Sequence, residues 1–221
     1  MIQLYLFIIG SCIGSFLVAS YQRLSQGKSI YSPRSHCDSC QTLLPIFLLI
    51  PIASYLLCLG KCVYCRAKIP IYTLLIELIC ALLFLSVYVR FPRHILYYLL
   101  LFTILLFIST EDLATKSIST NCLLYLTGLL FFHKPTLIGF ILLCLIILLS
   151  IEAFDFQRYF RRIGLADIEL ILSFMIVLNL ERVSYIVLCA TLIIFPFHIS
   201  FKHKPLPFIP ALSLFFILLC K

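Results

Sequence analysis

The sequence predicts an all-α polytopic membrane protein of about eight transmembrane helices. A small cytosolic loop with four zinc-binding cysteines is expected between the first and second helices. Three observations carry this prediction. Of 221 residues, 63% are hydrophobic and 12% charged, with a mean hydropathy of +1.14; a soluble domain of this length cannot hide that much apolar surface. The apolar residues fall into runs close to membrane length, broken by charge, proline or glycine. The main polar interruption holds two C-x-x-C pairs, Cys37 with Cys40 and Cys62 with Cys65, 21 residues apart. That is the ligand spacing of a tetrahedral four-thiolate site, in which two tight turns each offer two sulfurs to one ion.

The first apolar span covers residues 2–22. Gly10, Gly14 and Ser15 are small residues that let a neighbouring helix approach. No basic n-region or small-residue cleavage site precedes Arg23, so the segment reads as a retained span. The cysteine loop runs to about residue 69. Its middle, Leu43 to Leu59, is nearly long enough to cross but holds Pro45 and Pro51. Because the two cysteine pairs must meet, a hairpin on the membrane surface or against the bundle is expected there. Further spans are expected near 70–89, 93–111, 118–132, 135–154, 167–180, 183–200 and 205–220, the sixth with an option to continue through Glu181. No repeat of 20–50 residues and no low-complexity tail is apparent.

Basic residues favour the cytosolic side of short membrane loops. With the cysteine loop inside, twelve of the seventeen Lys and Arg residues lie inside and five outside. This places the N-terminus outside and the cysteine loop in the cytosol. The formal charge of +8 is spread among short loops with no aromatic-interleaved basic run, which argues against nucleic acid as a partner. The seven remaining cysteines sit mostly in apolar runs, where a free thiol acts as a small hydrophobe, and no disulfide framework is expected.

Only nine acidic residues occur, so each can be weighed. A charge at the centre of a span costs roughly 2.5–3.5 kcal/mol on insertion scales, which marks it as a functional candidate. Asp112 closes the third span and Asp167 opens the sixth. The two spans run in opposite directions, so both aspartates reach the cytosolic boundary at similar depth. Two carboxylates that meet share one proton, because like charges a few ångströms apart resist joint ionisation. The ionised member then takes a proton from water while the protonated member polarises a carbonyl, which is general acid–base hydrolysis. The plainer reading is a solvated residue at a helix end. Glu111, Glu152, Asp155 and Glu169 lie near the same face and spacing does not choose among them. Glu77 sits inside the second span and must face the bundle or a wet cavity.

These residues resemble the type IV prepilin peptidases, and the competence-type Gram-positive branch most of all. The likeness starts at Gly14-Ser15-Phe16 and Arg23-Leu24. It continues through Pro33-Arg34-Ser35-His36-Cys37-Asp38-Ser39-Cys40, Cys62-Val63-Tyr64-Cys65 and Glu77-Leu78. It then takes in Asp112-Leu113 with Ile118, Gly164-Leu165-Ala166-Asp167 and the proline-flanked Pro207-Phe208-Ile209-Pro210.

The resemblance implies an aspartic endopeptidase of the bacterial plasma membrane that cuts the basic leader from prepilins or pseudopilins at the cytosolic face. Its catalytic aspartates fall on Asp112 and Asp167, and its structural zinc ligands on Cys37, Cys40, Cys62 and Cys65. Gly164 and Glu77 are supporting residues. The partners implied are pilin precursors and the lipid bilayer. Many members also N-methylate the new N-terminus with S-adenosylmethionine, an activity of the N-terminal half that the resemblance carries as an option. The expected division is a first transmembrane helix (1–22), a cytosolic zinc-binding loop (23–69) and a seven-helix membrane peptidase domain (70–221).

Two departures stand out. Where the family's second aspartate motif has a second glycine, this chain has Ala166, whose methyl confines the backbone to negative φ. Where the motif has a lysine, it has Glu169, which changes the charge felt by Asp167 if the two are close. Four thiolates leave no site for water, so the zinc reads as structural; His36 is an alternative fourth ligand. Two rival readings remain open. One is a zinc-stapled membrane scaffold of a secretion or DNA-uptake machine without peptidase activity. The other is a membrane thiol oxidoreductase, which the charge count disfavours because its cysteines should face the oxidising side.

Overall fold

The structure is a computed structural model that describes residues 1–32, 34–156, 165–200 and 207–220. Among these the regular structure is helical. The helices are α1 (Ile2–Ser25), α2 (Ala53–Leu57), α3 (Ile71–Arg90), α4 (Ile95–Thr115), α5 (Thr120–His133), α6 (Leu137–Phe156), α7 (Leu165–Val177), α8 (Leu180–Ser200) and α9 (Ile209–Leu219), with a 3-10 turn at Ile46–Leu49. All but α2 lie where the sequence placed a span. Helices α1, α3 and α4 are long and apolar enough to cross a membrane. At 14 and 11 residues, α5 and α9 fall short of the roughly 20 residues that a perpendicular crossing takes.

Two boundaries differ from the sequence reading. The third span continues to Thr115, so Asp112 stands inside α4 rather than at its end. No glycine or proline breaks the helix there, and it stops only where Lys116 turns to φ +53°. The sixth span ends at Val177 instead of continuing through Glu181, which joins the first turn of α8. An acidic side chain suits the positive end of a helix dipole.

The chain forms two compact units, Met1–Leu100 and Leu101–Lys221. In the first, α1 packs along α3. The G-x-x-x-G spacing of Gly10 and Gly14 makes this possible. A Cβ on Gly10 would stand 2.8 Å from the Cα of Ala81, and one on Gly14 would stand 2.8 Å from the Cα of Glu77. Bare backbones therefore touch, and helix pairs in lipid depend on such packing because apolar burial gains little there. Leu17, Val18, Phe84 and Val87 are buried in this unit, while Ile8, Ile9, Leu75, Ile79 and Leu82 are exposed, as lipid-facing residues should be. Gly14→Ala forces two backbones apart and is expected to cost about 1–3 kcal/mol, the usual range for overpacking, read as a lower melting temperature in detergent.

In the second unit, α7 packs on α5, α6, α8 and α9. Leu123, Leu126 and Leu130 of α5 and Leu170 of α7 are buried. Phe174 stacks on Phe216 of α9 with ring centroids 4.1 Å apart. Thr127 and Ser173 pair their hydroxyls at 3.0 Å across α5 and α7: one donates to the other, and the hydroxyl that accepts donates to its own helix backbone four residues back. Such paired hydroxyls join helices without leaving a polar atom bare.

Candidate metal centre and carboxylate pair

The four cysteines of the loop come together. All their sulfurs lie within 4.8 Å of one another, and the Sγ atoms of Cys37 and Cys65 are 3.8 Å apart. A tetrahedron with zinc–sulfur bonds of about 2.3 Å has edges of about 3.8 Å. The two halves are built alike. In each, the amide after the second cysteine donates to the carbonyl of the first: Gln41 N–H to Cys37 and Arg66 N–H to Cys62. In each, that same residue has positive φ, +57° at Gln41 and +61° at Arg66. A bridge closes each turn, His36 to Leu43 and Lys61 to Lys68. The loop is thus a duplicated knuckle, and the sequence carries the duplication beyond the cysteines: Leu44-Pro45-Ile46 follows Cys40 at the same distance as Ile69-Pro70-Ile71 follows Cys65.

The thiols fit a cation. Hydrogen bonds from the Thr42 hydroxyl and amide draw Cys40 down to about 6, and the Cys65 and Tyr64 amides lower Cys62. For Cys65 the Ala67 amide is the largest influence and favours the thiolate. Lost hydration and the sulfurs of Cys40, Cys62 and Cys37 together outweigh it and push Cys65 up to about 11. The last thiol resists ionising beside the others, and a divalent cation relieves that repulsion. His36 turns its Nδ1 to the Arg34 carbonyl at 2.9 Å and stands outside the sulfur cluster.

The middle of the loop forms short helical turns, the 3-10 turn and α2, rather than a crossing. It is pinned at Ile52, whose N–H donates to Oε2 of Glu77 at 2.7 Å. Glu77 is 8% exposed and sits on α3 beside Gly14.

In the second unit, Asp112 of α4 is 9% exposed, and its Oδ2 accepts the N–H of Ile209 at 3.3 Å. Ile209 is the first residue of α9 and belongs to the proline-flanked segment. Its amide is one of the four that a helix start leaves without a helical partner. Asp167, half-buried in the first turn of α7, interacts electrostatically with Asp112. The start of α9 thus holds the carboxylate of α4, and α7, which carries Asp167, packs against α9.

The remaining candidates separate from this pair. Glu111 anchors the next loop by accepting from the Ser119 amide and hydroxyl. Gly164 lies outside the described residues, as do the side chains of Glu152 and Asp155. Glu169 is only 5% exposed and, two residues after Asp167 on a helix, points to a different side. The expected influence of its charge on Asp167 is thereby corrected: Asp112 is the carboxylate that acts there. Glu169→Lys would bury an ammonium; the expected result is a lower folded yield with an unshifted pH–rate profile, measured beside Glu169→Gln. The Ile209 amide escaped sequence reasoning as a partner of Asp112. Pro210, at the start of the last helix, was the one available signal.

Comparison with known proteins agrees with the motif resemblance over part of the chain. Residues 8–91 match the family model described as Bacterial Peptidase A24 N-terminal domain. The chain is 37% identical over 87 residues to a prepilin leader peptidase/N-methyltransferase of Myxococcus xanthus (strain DK1622). It is 40% identical over 86 residues to a protein of the same name from Bacillus subtilis (strain 168). A type 4 prepilin-like proteins leader peptide-processing enzyme of Escherichia coli O78:H11 is 42% identical over 65 residues. These matches cover 39%, 39% and 29% of this chain, and 26%, 35% and 24% of the respective relatives. The family match ends before both aspartates. No solved structure matches the chain.

Proposed function

We propose that this chain is a membrane aspartic peptidase that removes the leader from type IV pilin-like precursors, competence pseudopilins among them. Asp112 and Asp167 would be its acid–base pair. One observation supports the reading: Asp112 accepts the first amide of α9, and α7, whose first turn carries Asp167, packs on that same helix.

The chemistry follows from the shared proton. The ionised aspartate takes a proton from a water molecule as the water oxygen attacks the scissile carbonyl carbon. The protonated aspartate gives its proton to the carbonyl oxygen. Return of that proton and transfer of the water proton to the leaving nitrogen break the C–N bond. Asp112 enters this cycle with Oδ2 held by the Ile209 amide, which fixes its orientation and leaves Oδ1 for substrate or water. A pilin precursor suits such a site. Its basic leader favours the cytosolic side, where the distribution of Lys and Arg places the ends of α4 and α7, and its apolar helix favours the bilayer. The test is co-expression with a prepilin: a faster-migrating product supports the peptidase, and an unchanged precursor favours the scaffold reading.

A second activity draws on the first unit. The names of two relatives join leader peptidase with N-methyltransferase, and the family match lies within this unit. The unit contains a cavity of about 270 Å³ between the knuckles, α1 and α3. S-adenosylmethionine, when bound, supplies an electrophilic methyl group to a neutral amine. Ser15, Gln22, Thr73 and Glu77 line the cavity and would hold such a donor. Zinc in the four-cysteine site would order the knuckles that form one wall.

A further inference from the structure

The cavity of the first unit carries charge of both signs, with Glu77, Lys61 and Lys68 in its lining. Glu77 lines it, is nearly buried, and forms no ion pair among the described residues. An unpaired carboxylate within an apolar helix is costly to maintain and calls for a partner. Its one hydrogen bond is unusual. Ile52, the donor, has φ +58° and ψ −55°, and the Ala53 N–H donates back to the Pro51 carbonyl. This is a γ-turn of the rare positive-φ type, here with a β-branched residue at its centre. Backbone strain of about 1–3 kcal/mol persists only where the surroundings enforce it. The strained turn aims an amide at Oε2 and fixes the carboxylate in the cavity wall.

The manner of holding selects a ligand. An ammonium carries several N–H donors and needs free acceptor atoms around it. A sulfonium carries positive charge and no donor, so it needs a carboxylate near it rather than one free to accept. Glu77, with Oε2 already engaged, supplies that. Lys61 and Lys68 also line the cavity and suit the carboxylate of an amino acid.

We propose that Glu77 is the counter-ion for the sulfonium of a methyl donor bound in this cavity, held in place by the strained turn at Ile52. The inference rests on the methyl-transfer reading above. It is separable from it by experiment.

The measurement is calorimetric binding to the full chain in detergent with zinc bound, using S-adenosylmethionine and its neutral thioether product, S-adenosylhomocysteine. The wild-type chain should bind the sulfonium compound about 10-fold or more tightly than the thioether. Glu77→Gln, with zinc content and melting temperature as controls, should lose that preference through a fall of about 10- to 100-fold in affinity for the sulfonium compound. Equal wild-type affinities overturn the counter-ion role and need no variant, so the result stands even if Glu77→Gln folds poorly. A folded Glu77→Gln chain that keeps the preference overturns it as well. Binding of neither compound to the wild-type chain removes the methyl-transfer reading itself.

Discussion

Asp112→Asn and Asp167→Asn are each expected to lower leader cleavage by about 10²–10⁴-fold, the range that a positioned acid or base contributes. Each variant should remain folded. An asparagine at 112 keeps a carbonyl oxygen that can accept the Ile209 amide, so the link from α4 to the start of α9 survives. What it loses is the ability to exchange a proton. At 167 the same change removes the charge repulsion with Asp112 and leaves a side chain of similar size. The double variant should be little worse than either single one, because members of one proton-sharing unit fail together. The check is the initial rate of precursor shortening at fixed enzyme concentration, with melting temperature as control. Near-normal cleavage by a folded single variant would remove that residue from the chemistry. Independent, multiplying losses would mean that the two aspartates work apart.

This pair shows where sequence was informative. The helices follow from apolar runs of membrane length, because a bilayer leaves few options for a chain with so little charge. The four-cysteine cluster follows from C-x-x-C spacing, since two tight turns must each present two sulfurs. The expectation that Asp112 and Asp167 share one side of the membrane follows from counting helix directions. The less legible features all depend on packing between segments distant in sequence. Nothing near Ile52 announces a strained turn, because the residue that stabilises it, Glu77, comes from another helix. The Ile209 amide becomes a ligand of Asp112 only once α9 begins beside α4. The end of α7 at Val177 was obscured because the apolar pattern continues past it through Leu178 and Leu180. The role of Glu169 was misjudged for a geometric reason: two residues along a helix is far around its circumference, so nearness in sequence did not give nearness in charge.

Removing zinc is expected to unfold the loop while leaving most helix intact. Among the described residues between α1 and α3, only Gly60 and Cys62 are buried. A segment with so little core cannot offset its own conformational entropy, at about 1–2 kcal/mol per ordered residue. Four-thiolate zinc sites contribute about 10–16 kcal/mol in isolated peptides, enough to supply what the core does not. The expected stoichiometry is one zinc per chain, lost in Cys62→Ser. Metal-free protein should exchange the amide hydrogens of Cys62, Arg66 and Ile52 rapidly, since the first two are held within the knuckles and the third by Glu77 against α3. Far-UV circular dichroism should change little, because the helical residues lie mainly outside the loop. Protection of those three amides after complete metal removal would show that the loop holds itself. The same loss should abolish donor binding, whose cavity has the knuckles as one wall, and spare leader cleavage, whose carboxylates belong to the other compact unit. A chain that loses both activities together on metal removal would instead show that the knuckles serve the peptidase directly.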